Sequence, residues 1–149
     1  MIMTQEDKEL LLKDICARVT CGVKVLCIID SNHKWYNLKM VDIEENDVYL
    51  EAYEPYTNRY AEIENVKPYL FPLSSMTDEL WDKEFRGYGI TEFTRDSFKY
   101  GCDTLEFNKC NPDLLNVVRF INQLVKNHFD IYGLIPMGLA IDSTNKNIY

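Results

Sequence analysis

The sequence predicts an α+β fold, in which a strongly bent antiparallel sheet or a small SH3-like barrel carries an N-terminal helix and a long C-terminal helix packed on it. Two observations lead to this fold class. Apolar residues recur at helical spacing near both ends of the chain. Between them, four or five short segments have the β-branched content and the alternation of strands. An open meander with the helix across one face is the alternative architecture.

The first helix is predicted over residues 5–19. Thr4 is a typical N-cap residue, and Asp7 places a carboxylate near the positive end of the helix dipole. Gly22 tolerates the left-handed backbone of a helix end, so the helix is expected to stop near it. The apolar residues that repeat every three or four positions in this segment are Leu11, Leu12, Ile15, Cys16 and Val19.

Strands are predicted from residue 23 onward because the period of the apolar residues changes there. The segment VKVLCII at residues 23–29 is rich in β-branched side chains, and the polar residues 30–34 indicate a turn. A second strand is expected over residues 35–41, followed by another turn at residues 44–47.

The third strand is predicted from strict alternation, which implies one buried face and one exposed face. Its two sets of residues are Val48, Leu50 and Ala52 on one side, and Tyr49, Glu51 and Tyr53 on the other. Further extended pieces are expected near residues 60–63 and 66–73. The latter contains Pro68 and Pro72, and because proline lacks a ladder donor, it is predicted to be an edge or crossing strand.

The C-terminal half is predicted to contain two helices, a hairpin between them and a last strand. The hydroxyl-rich residues 74–77 favour a helix start, and a short helix is expected to run to about residue 86. A hairpin turning at residues 100–103 is expected within residues 87–109. Asn111 and Pro112 are typical of a helix N-terminus and predict a helix to about residue 128. A turn through residues 131–138 and a last strand over residues 139–141 complete the predicted elements.

Length and charge limit the classes of partner. The chain has 149 residues and a formal net charge of −8, so one domain over residues 1–149 is expected. An acidic protein repels a phosphate backbone, so no nucleic acid is expected, and a protein partner with a basic surface is favoured. The N-terminus is acidic and the longest aliphatic run is short, which predicts no membrane span, no export signal and a cytoplasmic location.

The cysteines and histidines do not form a recognised site. There are five cysteines, and their spacings lack the paired pattern of structural zinc, so free thiols, no metal, no cofactor and no catalytic residue are predicted. His128 and Asp130 could activate a cysteine nucleophile. The simpler interpretation is that His128 meets a helix C-terminus and that Asp130 caps the following turn.

The candidate partner-binding residues are Tyr56, Arg59 and Tyr60, in a tyrosine-rich segment that starts at Tyr53. Tyrosine and arginine are favoured in recognition surfaces because each combines a large contact area with a polar end. The alternative is a hairpin loop whose tyrosines fold back onto the sheet.

Three segments of the sequence carry a family resemblance: MTQEDKELLLKDICARV from Met3, KPYLFPLSSMT from Lys67 and HFDIYGLIPMGLAI from His128. They resemble a family of small uncharacterised proteins from the genomes, prophages and mobile elements of gut-anaerobe bacteria. The resemblance implies a bacterial or phage origin in the cytoplasm and implies Met3 as an alternative start to Met1. It implies no catalytic residue.

The function class follows from these observations. A non-enzymatic binding or regulatory protein of phage or mobile-element origin, acting through protein–protein contacts, is the leading hypothesis. The alternative is a small enzyme or ligand-binding protein with a pocket of an unrecognised type. A nucleic-acid-binding barrel is a weaker third hypothesis, because the net charge opposes it.

Overall fold

The computed structural model describes residues 3–30, 35–42, 47–51, 58–88 and 114–149. The helices are α1 (Gln5–Arg18), α2 (Asp78–Glu84) and α3 (Leu114–Lys126). The strands are β1 (Lys24–Cys27), β2 (Tyr36–Asp42), β3 (Asp47–Glu51), β4 (Asn58–Glu62), β5 (Val66–Leu70) and β6 (Ile141–Asp142). An α+β fold with an N-terminal helix is therefore confirmed.

Local sequence signals explain the start and end of α1. The Thr4 hydroxyl accepts a hydrogen bond from the Asp7 amide at 3.1 Å, and the Asp7 carboxylate accepts one from the Thr4 amide at 3.0 Å. This reciprocal capping box satisfies two N–H groups that the helix leaves free. The chain leaves the helix through a short 3₁₀ turn, and Gly22 follows with a φ of 71°. The predicted start and stop signals are both confirmed.

The six strands form one mixed sheet in the order β4-β3-β2-β1-β5-β6. All neighbours are antiparallel except β5 and β6, which are parallel. The prediction of an antiparallel sheet or SH3-like barrel is wrong in two respects. First, β6 is parallel to β5. The chain between these two strands runs through α2 and α3, and a parallel pair requires such a long crossover connection. The sheet is also open, because within the described residues β4 and β6 form its two ends and do not pair.

Strand β5 lies inside the sheet, between β1 and β6, so its predicted edge position is wrong. Pro68 lies opposite Val25 of β1, whereas β6 pairs only with Tyr69 and Leu70. Among the described strands, Pro68 is therefore bordered on one side alone. This position tolerates the missing N–H group of proline as an edge strand does.

The C-terminal helix is described over 13 residues, and its predicted start at Asn111 and Pro112 lies outside the described residues, as does the hairpin predicted around residues 100–103. Its main contacts among the described elements are with α1 and with the 3₁₀ turn Arg86–Tyr88. The predicted packing on the sheet is therefore not shown among the described elements. Its buried face meets an aromatic residue that directly follows α2. The rings of Phe120 and Phe85 pack edge to face, with their centroids 5.5 Å apart.

Among the residues that the structure describes, the hydrophobic interior consists of two clusters. One lies between α1 and the sheet and includes Leu11, Ile15, Val25 and Leu50. The other lies between α2, α3 and the chain that follows β5, and consists of Leu73, Met76, Phe85, Phe120, Leu124 and Phe129. The ion pair of Asp14 and Arg18, both fully buried, joins the two clusters.

Arg18 forms this link through four hydrogen bonds. Its guanidinium donates to both carboxylate oxygens of Asp14 at 2.8 and 2.7 Å. It also donates to the carbonyl oxygens of Val125 at 3.2 Å and Phe129 at 2.6 Å, at and beyond the end of α3. A buried charge is tolerated only when it is paired and hydrogen-bonded, and both conditions are met here.

Candidate functional site

The predicted partner-binding residues do not lie on one exposed loop. Arg59 and Tyr60 belong to strand β4, and Tyr56 lies outside the described residues. Successive residues of a strand point to opposite faces of the sheet. Arg59 pairs in register with buried Leu50, and Tyr60 pairs with Tyr49 on the other face. The structure therefore separates Arg59 from Tyr60, and binding by these residues stays a prediction.

Arg59 is held in a cluster at the end of β1. Its Nη1 donates to Asp30 Oδ2 at 3.0 Å, and the hydroxyl of buried Tyr36 donates to the same oxygen. Burial, and then the hydrogen bond to Asp30, raises the pKa of Tyr36. The side chain of Arg59 is 32% exposed and that of Asp30 is 11% exposed. This arrangement ties β4 to the turn after β1 across the sheet, so Arg59 has a clear structural role.

A row of large side chains crosses the outer face of the sheet. Met40 of β2 lies opposite Tyr49 of β3, which lies opposite Tyr60 of β4. The two tyrosine rings are tilted by 54° with their centroids 5.0 Å apart. Met40 is 48% exposed and Tyr60 is 61% exposed. Residues directly opposite each other share a face of the sheet, so the three side chains form one continuous surface.

A row of carboxylates runs beside it. Asp42 lies opposite Asp47, and Asp47 lies opposite Glu62. Directly opposed residues of antiparallel strands have Cβ atoms about 5 Å apart, and like charges at this distance are unfavourable. The negative potential of this end of the sheet therefore favours an approaching cation.

We call the six residues of these two rows the tyrosine face: Met40, Tyr49, Tyr60, Asp42, Asp47 and Glu62. Lysines on the other side of the methionine–tyrosine row are engaged locally. Lys39 forms an ion pair with Glu51 at 2.9 Å, and the Lys24 ammonium lies 4.0 Å from the centroid of the Trp35 ring. These two lysines are thus engaged outside the carboxylate row.

The sequence identified only Tyr60 in this face. The sequence did contain a signal for Tyr49. The predicted alternation put Tyr49 on the other face of the strand from Val48 and Leu50, and these two residues are buried. Met40 and the carboxylate row could not be found in the same way. Their proximity depends on the pairing register, which includes an irregularity between Leu38 and Met40.

The histidine–cysteine hypothesis finds no support in the geometry. Asp130 accepts hydrogen bonds from the amides of Leu134 at 2.9 Å and Ile135 at 2.8 Å, so it caps the following turn as the simpler interpretation expects. In the part of the chain that the structure describes, no hydrogen bond joins His128 to a cysteine, and no group of ligating side chains could hold a metal ion.

His128 instead lies in an apolar groove of about 410 Å³ whose lining includes Phe71, Leu80, Phe129 and Tyr149. Its ring stacks on the Tyr149 ring with centroids 4.1 Å apart. Burial, together with the charges of Arg18 and Lys24, lowers the pKa of His128 to about 4. The ring is therefore neutral at physiological pH, and it does not supply a positive charge to the helix terminus.

Tyr149 anchors one wall of this groove. Its hydroxyl donates to the Tyr69 carbonyl at 2.8 Å and accepts from the Lys24 amide at 3.0 Å. Burial raises the pKa of Tyr149. His128 itself has a φ of 62°, and its Nδ1 is buried with no hydrogen-bond partner among the described residues. Both features are unfavourable for a histidine, and such features are concentrated at functional sites.

Comparisons of the chain with family models, with curated proteins and with solved structures find no significant match. No helix within the described ranges is both long and apolar enough to cross a membrane.

The positions of Tyr60 and Arg59 lead to different expectations for their alanine variants. Tyr60→Ala is expected to change the free energy of unfolding by less than about 0.5 kcal/mol, because the side chain is mostly exposed. Arg59→Ala is expected to cost about 1 kcal/mol, because it removes a hydrogen bond to a charged group. Urea unfolding of both variants provides the measurement, and a larger loss for Tyr60→Ala would contradict the described placement.

Proposed function

We propose that this protein is a non-enzymatic binding protein that recognises a protein partner with a basic surface through the tyrosine face. The observation that carries the proposal is the row of Met40, half-buried Tyr49 and Tyr60, with exposed side chains at both of its ends, directly beside three carboxylates. Tyrosine offers a rigid contact area with a polar end, and methionine adapts to irregular surfaces. Arginine or lysine of a partner could lie over the tyrosine rings and reach the carboxylates.

The composition of the chain supports the same kind of partner. A net charge of −8 attracts a basic protein over long distances and accelerates its association at low ionic strength. The cytoplasmic location, the phage or mobile-element origin and the absence of nucleic acid among the partners belong to this proposal. The resemblance of the three segments to mobile-element proteins supports the origin and the location, and the net charge of −8 opposes binding to nucleic acid.

The experiment compares partner capture by matched variants. Immobilised wild-type protein, the Met40→Ala/Tyr60→Ala variant and the Asp47→Asn/Glu62→Gln variant are exposed to bacterial lysate, and bound proteins are quantified by mass spectrometry. Affinities for a purified partner are then measured by calorimetry. Both variants are expected to weaken binding by about tenfold or more, because each changes two of the six side chains that form the face.

The control for this experiment is Ile29→Ala, which removes an apolar side chain that is 59% exposed and lies outside the tyrosine face. It is expected to bind the partner as the wild type does. The binding of the Asp47→Asn/Glu62→Gln variant is also expected to depend less on salt between about 50 and 150 mM than the binding of the wild type does. Equal binding by all four proteins would overturn the proposal.

The alternative of a small enzyme or ligand-binding protein has one observation in its favour, the groove beside His128. Its size and apolar lining are typical of small-molecule sites, and its histidine is unusually placed. Ligand-observed NMR with a library of planar aromatic fragments tests it. The Leu80→Trp variant fills the groove. Fragments that compete with each other for the wild type and do not bind this variant would support the function, whereas a screen in which no fragment binds would argue against it.

A further inference from the structure

Strand β4 is the end of the sheet at which the tyrosine face terminates. It pairs with β3 on one side, and within the described residues no strand pairs with its other side. An edge strand presents a row of backbone N–H and C=O groups that can pair with another chain. Tyr60 and Glu62 stand at this edge on the outer face, so both rows of the tyrosine face reach it.

The negative charge at this edge favours a basic added strand over a strand from a second copy of the chain. Glu62 is exposed and lies opposite Asp47, whereas the positive charge of Arg59 faces the other side of the sheet and is paired with Asp30. A second copy of the chain would bring another net charge of −8 to the same edge, which opposes pairing. A strand with basic side chains complements the edge.

We propose that the partner binds by adding an extended segment to β4, with lysine or arginine at alternate positions of that segment. Alternate side chains of the added strand lie on one face of the sheet, so a single basic set would continue the tyrosine face. One basic residue would lie opposite Glu62, and the next position on the same face would lie opposite Tyr60. Main-chain hydrogen bonds supply affinity in this mode, and the alternate side chains supply specificity.

This inference rests on the proposed function and specifies its partner more closely. Exposed ion pairs alone stabilise a complex weakly. Backbone pairing along β4 and contact with the Tyr60 ring therefore have to provide most of the binding, and a peptide with the same charge but no free backbone donors is expected to bind poorly.

The test uses synthetic peptides and fluorescence anisotropy. The probe is a labelled, acetylated and amidated peptide of sequence Thr-Lys-Val-Lys-Val-Lys-Thr. Two control peptides carry backbone N-methyl groups, one on the lysines and the other on the valines, so each loses the N–H groups of one strand edge. Strand addition predicts that one of these two peptides binds at least about tenfold more weakly than the probe and that the other binds almost equally.

The protein variants separate this inference from the proposed function. If both N-methylated peptides bind as the probe does while Asp47→Asn/Glu62→Gln weakens all three, the face binds basic segments but strand addition is wrong. If the peptides bind equally to the wild type and to every face variant, the proposed function itself is wrong. Lack of saturable binding of the probe overturns the inference, and so does a stable homodimer, seen by light scattering, that Tyr60→Ala dissociates.

Discussion

Replacement of Arg18 by alanine is expected to lower the free energy of unfolding by about 3–5 kcal/mol, which is the usual cost of removing one partner of a buried ion pair. The change would leave the buried Asp14 carboxylate without its partner and the Phe129 carbonyl oxygen without the Arg18 donor, whereas the Val125 carbonyl oxygen would keep only the His128 amide as a donor. Burial already raises the pKa of Asp14, although the hydrogen bond from Arg18 acts in the opposite direction. Denaturant unfolding followed by circular dichroism measures the loss.

A matched control for this variant exists on the surface of the same molecule. Arg86 and Asp82 form an ion pair with the same spacing, but their side chains are 76% and 55% exposed. Arg86→Ala is expected to cost at most about 0.5 kcal/mol, because solvent screens such a pair. If Arg18→Ala were as mild as Arg86→Ala, Arg18 would not hold the two hydrophobic clusters together.

Acidification below neutral pH is expected to destabilise the protein by about 2 kcal/mol through His128 alone, because its folded pKa lies near 4 and its ordinary pKa is near 6.5. Above about pH 6.5 the imidazole is neutral in both states and contributes no pH dependence. As the pH falls from there towards 4, the unfolded chain binds a proton that the folded protein resists, so stability decreases. The expected loss of about 2 kcal/mol is smaller than the full pKa difference implies, because the ring is partly in contact with solvent.

The surroundings of His128 explain why its pKa is lowered. Burial disfavours the charged imidazolium, and the positive charges of Arg18 and Lys24 repel a further positive charge on the ring. Lysine and arginine stay charged throughout this pH range, so the opposition to protonation is constant.

His128→Asn is the variant that isolates this effect. Asparagine does not titrate, and it accepts the left-handed backbone found at this position, where φ is 62°. The unfolding free energy of this variant is expected to vary less than that of the wild type between about pH 6.5 and 4. Acid effects from carboxylates such as Asp7 and Glu64 persist in both proteins and cancel in the difference. Parallel pH profiles would contradict the prediction.

The elements that the sequence predicted well are those whose signals lie within a few residues. The capping of α1 by Thr4 and Asp7 and of α2 by Thr77 uses hydrogen bonds between residues three positions apart. The alternation in β3 likewise depends only on neighbouring residues. These features could be predicted because the chain itself brings both partners of each interaction together.

The candidate face required the tertiary structure. Tyr60 was recognised by its residue type, but its role beside Met40 and Tyr49 depends on the register of three strands. The environment of Arg59 differs from that of Tyr60 for the same reason. Neighbouring residues of a strand point to opposite faces of the sheet, so Tyr60 lies on the outer face and Arg59 on the inner face. No local pattern specifies which residues of two strands become neighbours.

By itself the sequence determined the α+β class, the first helix with its cap, the strand alternation and the acidic charge that favours a basic partner. Only the tertiary structure decided that the sheet is open and mixed, that β5 lies inside it, and that α3 packs with α1 and the aromatic cluster. It also decided that Arg18 is buried, because the carbonyl groups that satisfy this charge lie 107 and 111 residues away along the chain. The physical reason is the same in each case: burial and pairing depend on groups that are distant in sequence, and their free energy is gained only when folding brings those groups together.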